Sequence, residues 1–263
     1  MNDSSSLENL ADDLAFALSL ADLADGITLP SFESRAFTLS RKADRSEVTE
    51  IDRGCEAAIV ERILADRPSH AIFGEEHGSS GSVQSAWTWV IDPIDGTSNF
   101  VRGVPVWATL VALVHEDHGP VVGVVSAPAL GRRWWSRPGQ AFVNGHPIGV
   151  SDVSRLSDAQ VSITMNDGWD RLGLTDRLVN LQRDAYRSRG YGDFWQHMLV
   201  AEGSIDVAVD AIGLQPYDVA AVQAVVEAAG GRLTDRLGVR TYEHDSAVST
   251  NGSLHDEVVA RLC

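Results

Sequence analysis

Cysteine is scarce. Cys55 and Cys263 are the only two, one inside a helical pattern and one at the terminal position. Such a pair implies no disulfide framework, and a reducing cytoplasm is the expected compartment. Positive charge is short as well: 21 Lys and Arg face 37 Asp and Glu, for a net charge of −16. Nucleic acid rewards clustered Lys and Arg, so it is not an expected partner, and neither is an anionic membrane surface. Long apolar runs are missing too. None approaches ~18 residues, so no membrane span is expected. Asp12, Asp13 and Asp22 interrupt the N-terminal leucines, which is wrong for a signal peptide. Internal repeats and low-complexity segments are absent.

What is present is an ordinary globular composition. Hydrophobic residues make up 44% and charged residues 22% of 263 positions, enough for a large core in one domain or two packed halves. The texture changes near 147–155 without a flexible linker. The expected halves are therefore 1–147 and 148–263, packed together.

Ser5-x-x-Glu8 has the form of a capping box, and Leu7, Leu10, Leu14 and Leu18 follow at helical spacing, with Gly26 as the expected stop. Thr49 and Asp52 mark a second helix start. Ile51, Cys55, Ile59 and Ile63 continue its apolar face, and Pro68 lies beyond its end. Ala71 to Phe73 reads as a strand running into Gly74-Glu75-Glu76. Val106–Val114 and Val121–Val125 are strongly β-prone, joined by a polar loop from His115 to Pro120. Trp134 and Trp135 begin another strand, and Asn144-Gly145 signals a hairpin. Beyond 150, strands at 160–164, 186–189, 205–209 and 247–249 alternate with helices at roughly 175–183, 194–202, 216–229 and 253–262. Pro216 near the start and Gly230-Gly231 past the end frame the third of these. The pattern predicts mixed α and β structure.

The chemistry centres on Trp89-Val90-Ile91 followed by Asp92-Pro93-Ile94-Asp95-Gly96-Thr97. The apolar run predicts a buried strand, and Pro93 with Asp95-Gly96 predicts that it stops there. Two carboxylates and a hydroxyl then sit at one strand end. Oxygen donors of this kind suit Mg²⁺, which commonly shares phosphate oxygens with its protein ligands. The amides of Gly96 and Thr97 could open a helix and face an anion. Bound metal would also supply the positive charge that so acidic a phosphate-handling chain lacks. The same residues read equally as a polar turn. Asp52 and Asp218 each read as a first-turn acid complementing a helix dipole, and Glu76 as part of a solvated loop.

Four segments together resemble the inositol monophosphatase family. They are Val48-Thr49-Glu50-Ile51-Asp52, Gly74-Glu75-Glu76, Asp92 to Thr97 with Asn99-Phe100, and Tyr217-Asp218 to Ala221 with Glu227 to Gly231. Asn99 to Trp107, Ser126 to Leu130, Arg132 to Trp135, Tyr191 to Asp193 and Asn251 to Glu257 look most like its bacterial histidinol-phosphatase branch. The resemblance implies an α/β (α+β) fold, a layered α/β/α/β/α sandwich of the inositol monophosphatase/fructose bisphosphatase type, assembled as a homodimer. Residues 1–147 would carry most metal ligands, and 148–263 would carry Asp218 and part of the substrate pocket.

The implied activity is Mg²⁺-dependent hydrolysis of a small phosphomonoester, L-histidinol phosphate in that branch, by in-line attack of a metal-activated water. The alternative is an inositol-1-monophosphatase or a broader phosphomonoesterase. Two to three Mg²⁺ ions are implied. Glu75, Asp92, the Ile94 carbonyl and Thr97 would surround the first. Asp92, Asp95 and Asp218 would hold the second, and Glu75, with Glu76 nearby, a third. Asp52, Thr97 and Glu75 are the implied catalytic residues, with Asp52 hydrogen-bonded to the Thr97 hydroxyl and Lys42 a possible helper. Gly96, Thr97, Asp95 and Asp218 would contact the substrate. Asp193 and Asp210, with Trp107 and Trp195, are candidates for its cationic leaving group. The chain departs from the family at Tyr217, where Trp is usual, and at Arg102, where His is common. A phosphatase with an aspartyl nucleophile would need Asp-x-Asp-x-Thr, which this spacing does not supply. A non-catalytic metal binder would have no use for Asp52 and Thr97 together.

Overall fold

The computed structural model describes residues 10–42 and 46–263. The Ser5–Glu8 capping box and Leu7 lie outside them. The chain begins α1 (Leu10–Ser34), β1 (Leu39–Arg41), β2 (Glu47–Thr49), α2 (Glu50–Asp66), β3 (Ala71–Gly74), β4 (Gly78–Gly81) and β5 (Trp87–Asp95). Next come α3 (Thr97–Arg102), β6 (Ala108–His115), β7 (Gly119–Ala127), β8 (Arg132–Arg137), β9 (Gln140–Val143) and β10 (His146–Ile148). After these lie β11 (Gln160–Ile163), α4 (Asp167–Arg171), α5 (Thr175–Asp184), β12 (Arg187–Arg189) and α6 (Asp193–Ala201). The last elements are β13 (Val207–Val209), α7 (Pro216–Ala228), β14 (Arg232–Thr234), β15 (Val248–Thr250) and α8 (His255–Leu262).

Two sheets carry the architecture. The larger has eight strands in the order β10-β9-β8-β7-β6-β5-β3-β4, and the smaller has five in the order β12-β11-β13-β15-β14. Successive side chains of a strand point to opposite faces. In β6, Leu110, Ala112 and Val114 face a core shared with Met198 of α6 and Val222 and Val225 of α7. Val111 and Leu113 face the other way, onto Leu20 of α1 and Ile59 and Ile63 of α2. That two-sided burial is why β6 reads as an unbroken apolar run. Beyond the smaller sheet, Leu178 and Leu181 of α5 pack with Val258 and Leu262 of α8 on Val161, Val207 and Val248. The layers are thus α1/α2, large sheet, α6/α7, small sheet, α5/α8.

Three expectations need correction. First, α1 does not stop at Gly26. It continues through Pro30 to Ser34, because its last turns have a core to cover: Leu29 and Phe32 pack on Phe100 and Trp107. Second, the reading that no stretch approaches membrane length is too strong: α1 is long and apolar enough to cross a membrane, by length and composition only. In this fold Phe16, Ala17, Leu20, Ala21 and Ala24 are buried against α2 and the large sheet, and Asp13 and Asp25 pair with Arg67 and Arg133. Its inward face is part of the core. Third, β5 does not end before Pro93. It runs to Asp95, with a register shift against β6 between Asp92 and Asp95. A bulge tolerates proline. The Ile94 N–H donates to Asp92 Oδ1 at 2.9 Å, and the Thr109 hydroxyl holds the Pro93 carbonyl at 2.8 Å. The turn chemistry bends a strand that its neighbour keeps paired.

Candidate metal centre

The bulge is where the acids meet. Asp92, on the buried side of β5, is 2% exposed. Asp95 follows at the strand end, and Asp218 reaches in from the first turn of α7. Ligand oxygens of Asp92, Asp95 and Asp218 all lie within 4.8 Å of one another. Glu75 follows the end of β3, the parallel neighbour of β5. Its carboxyl is close enough to Asp92 to share a hydrogen bond when one of them is protonated.

Asp95, Asp218 and Asp52 are each fixed by a backbone donor. Asp95 Oδ2 accepts the Phe194 N–H at 2.8 Å, from the start of α6. Asp218 Oδ2 accepts the Gln215 N–H at 2.7 Å, closing a capping box. Asp52 closes another with Thr49, accepting its N–H at 2.8 Å. Its other oxygen, Oδ1, lies 3.0 Å from the Thr97 hydroxyl, which also lies 3.0 Å from the Ile94 carbonyl. A hydroxyl has one proton to give, so occupation of the Ile94 oxygen by a cation would turn it wholly toward Asp52. Asp52 is therefore both a helix cap and the partner of Thr97. Gly96, at φ +82°, makes the left-handed turn into α3.

Like charge dominates the site. Burial first, then neighbouring carboxylates, push Asp92 and Asp95 well above the usual aspartate range. Burial pushes Asp218 up to about 7 and Asp193 to about 6. Burial also raises Glu75 and Asp52. The one cation reaching Glu75 among the described residues is Lys42, with Nζ 2.8 Å from Glu75 and 2.6 Å from Glu76. Burial opposes the Lys42 charge, yet those two hydrogen bonds hold its pKa above the ordinary lysine value. Buried, oxygen-rich and short of counter-charge, this set fits a hard divalent ion.

Beside the acids is a cavity of about 470 Å³ lined by Arg41, Ser46, Glu47, Glu75, Gly96, Thr97, Ser98 and Arg102. Asp193, at the start of α6, accepts the Asn99 side-chain amide at 2.9 Å. Asp210 is 6% exposed and bonded to His197 at 2.9 Å, and its charge is felt at Asp95, Asp193 and Asp218. Trp195 is partly buried, edge-on to Tyr191. Trp107 is not a pocket residue. It is fully buried, packed among Phe32 and Phe100, because the strand it precedes turns it into the core under α1.

Two contributions went unread in the sequence. Arg41 and Arg102 line the cavity, with Arg102 paired to Glu47 at 2.6 Å. Arg102 was legible only as a family departure, and Arg41 carried no signal. Glu56 is the other. Fully buried in α2, it accepts the N–H groups of Glu76 and His77 at 2.8 Å each and so pins the turn that carries Glu75. Gly74 makes room for it: a Cβ there would lie 2.2 Å from Glu56 Oε1. Gly74→Ala is expected to lose about 1–3 kcal/mol of stability, the range for overpacking a filled site. Thermal unfolding checks this; an unchanged melting temperature would show that the Glu56 contact can give way freely.

Five alternating layers, with carboxylates gathered where the central strand bulges, define a metal-dependent phosphomonoesterase. The pattern of the inositol monophosphatase family matches residues 9–263, and the chain belongs to that family. It is 47% identical to a histidinol-phosphatase of Mycobacterium tuberculosis, covering 95% of this chain and 98% of that one. It is 43% identical to a histidinol-phosphatase of Streptomyces coelicolor, over 95% and 97%. Among solved structures, an inositol monophosphatase from Anabaena superposes with a TM-score of 0.83 at 28% identity, covering 97% of this chain and 96% of that one.

Proposed function

We propose that this chain is a Mg²⁺-dependent histidinol-phosphatase, hydrolysing L-histidinol phosphate to L-histidinol and phosphate. The observation that carries the proposal is the convergence of Glu75, Asp92, Asp95 and Asp218 beside the Asp52–Thr97 pair. The substrate assignment is supported by the two bacterial relatives at 47% and 43% identity. Glu75, Asp92, the Ile94 carbonyl, Asp95, Thr97 and Asp218 would hold two to three Mg²⁺ ions. Bound there, the ions would offset phosphate charge and make a water more acidic.

The remaining work falls to the chain. Asp52 Oδ1 takes the proton of the attacking water through the Thr97 hydroxyl, which gives its own proton as it receives the other. Gly96 and Thr97 line the cavity where the phosphate sits. Asp193 and Asp210 face the leaving group, whose ammonium suits an acidic surround. Residues 1–147 thus supply Asp52, Glu75, Asp92, Asp95 and Thr97, and 148–263 supply Asp193, Asp210 and Asp218. The assembly we propose is a homodimer in the cytoplasm.

The test is phosphate release from L-histidinol phosphate, inositol 1-phosphate and glycerol 2-phosphate, each with Mg²⁺ and with chelator. Histidinol phosphate is expected to lead, and chelator to stop release. Equal or faster turnover of inositol 1-phosphate would move the assignment to the inositol-1-monophosphatase alternative. No release from any ester would remove the enzyme reading.

A further inference from the structure

A chain of buried polar groups leads to Asp210, and of its members the proposed chemistry uses Asp210 alone. Ser249 of β15 lies with Oγ 2.7 Å from His197 Nδ1, and His197 Nε2 lies 2.9 Å from Asp210 Oδ2. Ser249 is fully buried and His197 is 2% exposed. With the imidazole taken as neutral and Asp210 as a carboxylate, the direction of every contact is fixed. The Ser249 hydroxyl donates to Nδ1, and Nε2–H donates to the Asp210 carboxylate. The Ala211 N–H occupies the other carboxylate oxygen at 2.7 Å. The carboxylate is then locked in orientation with lone pairs to spare.

Stability alone is a poor reason for such a chain. Apolar residues of similar volume would tie α6 to the small sheet equally well, since buried ionic groups carry a desolvation cost. The chain also has a direction. It starts in the small sheet at Ser249, crosses α6 at His197, and ends on a carboxylate whose charge reaches Asp95, Asp193 and Asp218. Asp193 opens the same helix that carries His197.

We infer that His197, oriented by Ser249, is a positioning residue that fixes the Asp210 carboxylate for recognition of an ammonium group on the leaving alcohol. This rests on the proposed phosphatase function and deepens it: the acid pair Asp193 and Asp210 selects cationic alcohols, and the His197–Ser249 support makes one of that pair rigid. A carboxylate free to swing would still attract a cation, but without a fixed direction for its hydrogen bond.

The experiment compares KM and kcat for L-histidinol phosphate, O-phosphoethanolamine and glycerol 2-phosphate in wild type, His197→Phe, His197→Gln and Ser249→Ala. The first two esters carry an ammonium and the third does not. His197→Phe is expected to raise KM for histidinol phosphate about tenfold, the size of one lost charge-assisted hydrogen bond, with kcat within about threefold. KM for glycerol 2-phosphate should not move. His197→Gln keeps a donor that can reach Asp210 and should recover most of the loss. Ser249→Ala, the mildest change in packing, should raise KM for the ammonium esters alone, by about two- to fivefold.

Equal losses on all three esters would reduce the chain to a structural strut and overturn the inference, as would an unchanged preference in both His197→Phe and Ser249→Ala. If wild type favours phosphoethanolamine over histidinol phosphate, the substrate assignment fails, while the inference stands or falls on whether the variants lose that preference. A wild type indifferent to the ammonium overturns both.

Discussion

Asp92→Asn and Asp218→Asn are each expected to lower phosphate release at least ~10²-fold at saturating Mg²⁺, the size of losing one preorganised electrostatic element. The substitution leaves local structure in place. An Asn at 92 keeps an oxygen for the Ile94 N–H, and an Asn at 218 keeps one for the Gln215 N–H. What it removes is one negative charge from a buried set that repels itself when no cation is bound. The metal-free variants should therefore melt at or above the wild-type temperature, while gaining less from added Mg²⁺. Loss of activity without loss of metal-free stability is the signature of a ligand, since a damaged core would lower both. Near-normal turnover in either variant at saturating Mg²⁺ would overturn the ligand assignment.

Local signals were legible where one segment settles its own structure. Thr49 with Asp52 reads as a helix start and caps α2: the Thr49 side chain accepts from the Ile51 and Asp52 N–H groups, and the Asp52 side chain accepts from the Thr49 N–H. Asn144-Gly145 reads as a hairpin and joins β9 to β10, both residues at positive φ. Pro216 and Gly230 bracket α7. Local signals misled where a distant neighbour decides. Gly26 is a stop signal only if nothing rewards continuing, and the Phe32–Phe100–Trp107 cluster rewards it. Pro93 and Asp95-Gly96 end an isolated strand, yet β6 holds β5 in register through Asp92 and again at Asp95. Trp107 gave no hint of its burial, because periodicity does not say which core a side chain enters. The site itself is the extreme case. Asp52, Glu75, Asp92 and Asp218 come from four elements spread across most of the chain, and no spacing rule joins them. Only the family resemblance brought them together in the sequence. Glu56 lacked even that: it sits on a helix face like any other acid, and its purpose shows only when the turn above it is seen.

Removing the metal should make stability fall as pH rises, the reverse of what paired surface carboxylates produce. Asp218 is pushed up to about 7 and Asp193 to about 6, from an ordinary value of 3.8, by burial and then, once hydrogen bonds to each are counted against it, by neighbouring acids. Asp92 and Asp95 are also raised well above the ordinary aspartate value, by burial first and then by neighbouring acids. A carboxyl whose folded pKa exceeds its unfolded one holds its proton more tightly in the folded state. Its contribution is complete below the unfolded pKa and is lost as pH climbs through the folded one. In chelator, the melting temperature is expected to drop by several degrees between about pH 5 and pH 8. Lower pH is uninformative, because a carboxylate whose pKa a partner lowers, such as Glu47 beside Arg102, takes up its proton there and pulls the other way. Mg²⁺ competes for the oxygens that the protons occupy, so its stabilising shift should be small near pH 5 and largest near pH 8. The same competition requires metal binding near pH 6–7 to expel protons, which calorimetry in buffers of different ionisation enthalpy measures directly. A melting temperature in chelator that stays level or rises over this range would mean the acids are not crowded as described. Proton release absent at pH 6.5 would mean Mg²⁺ binds somewhere other than among them.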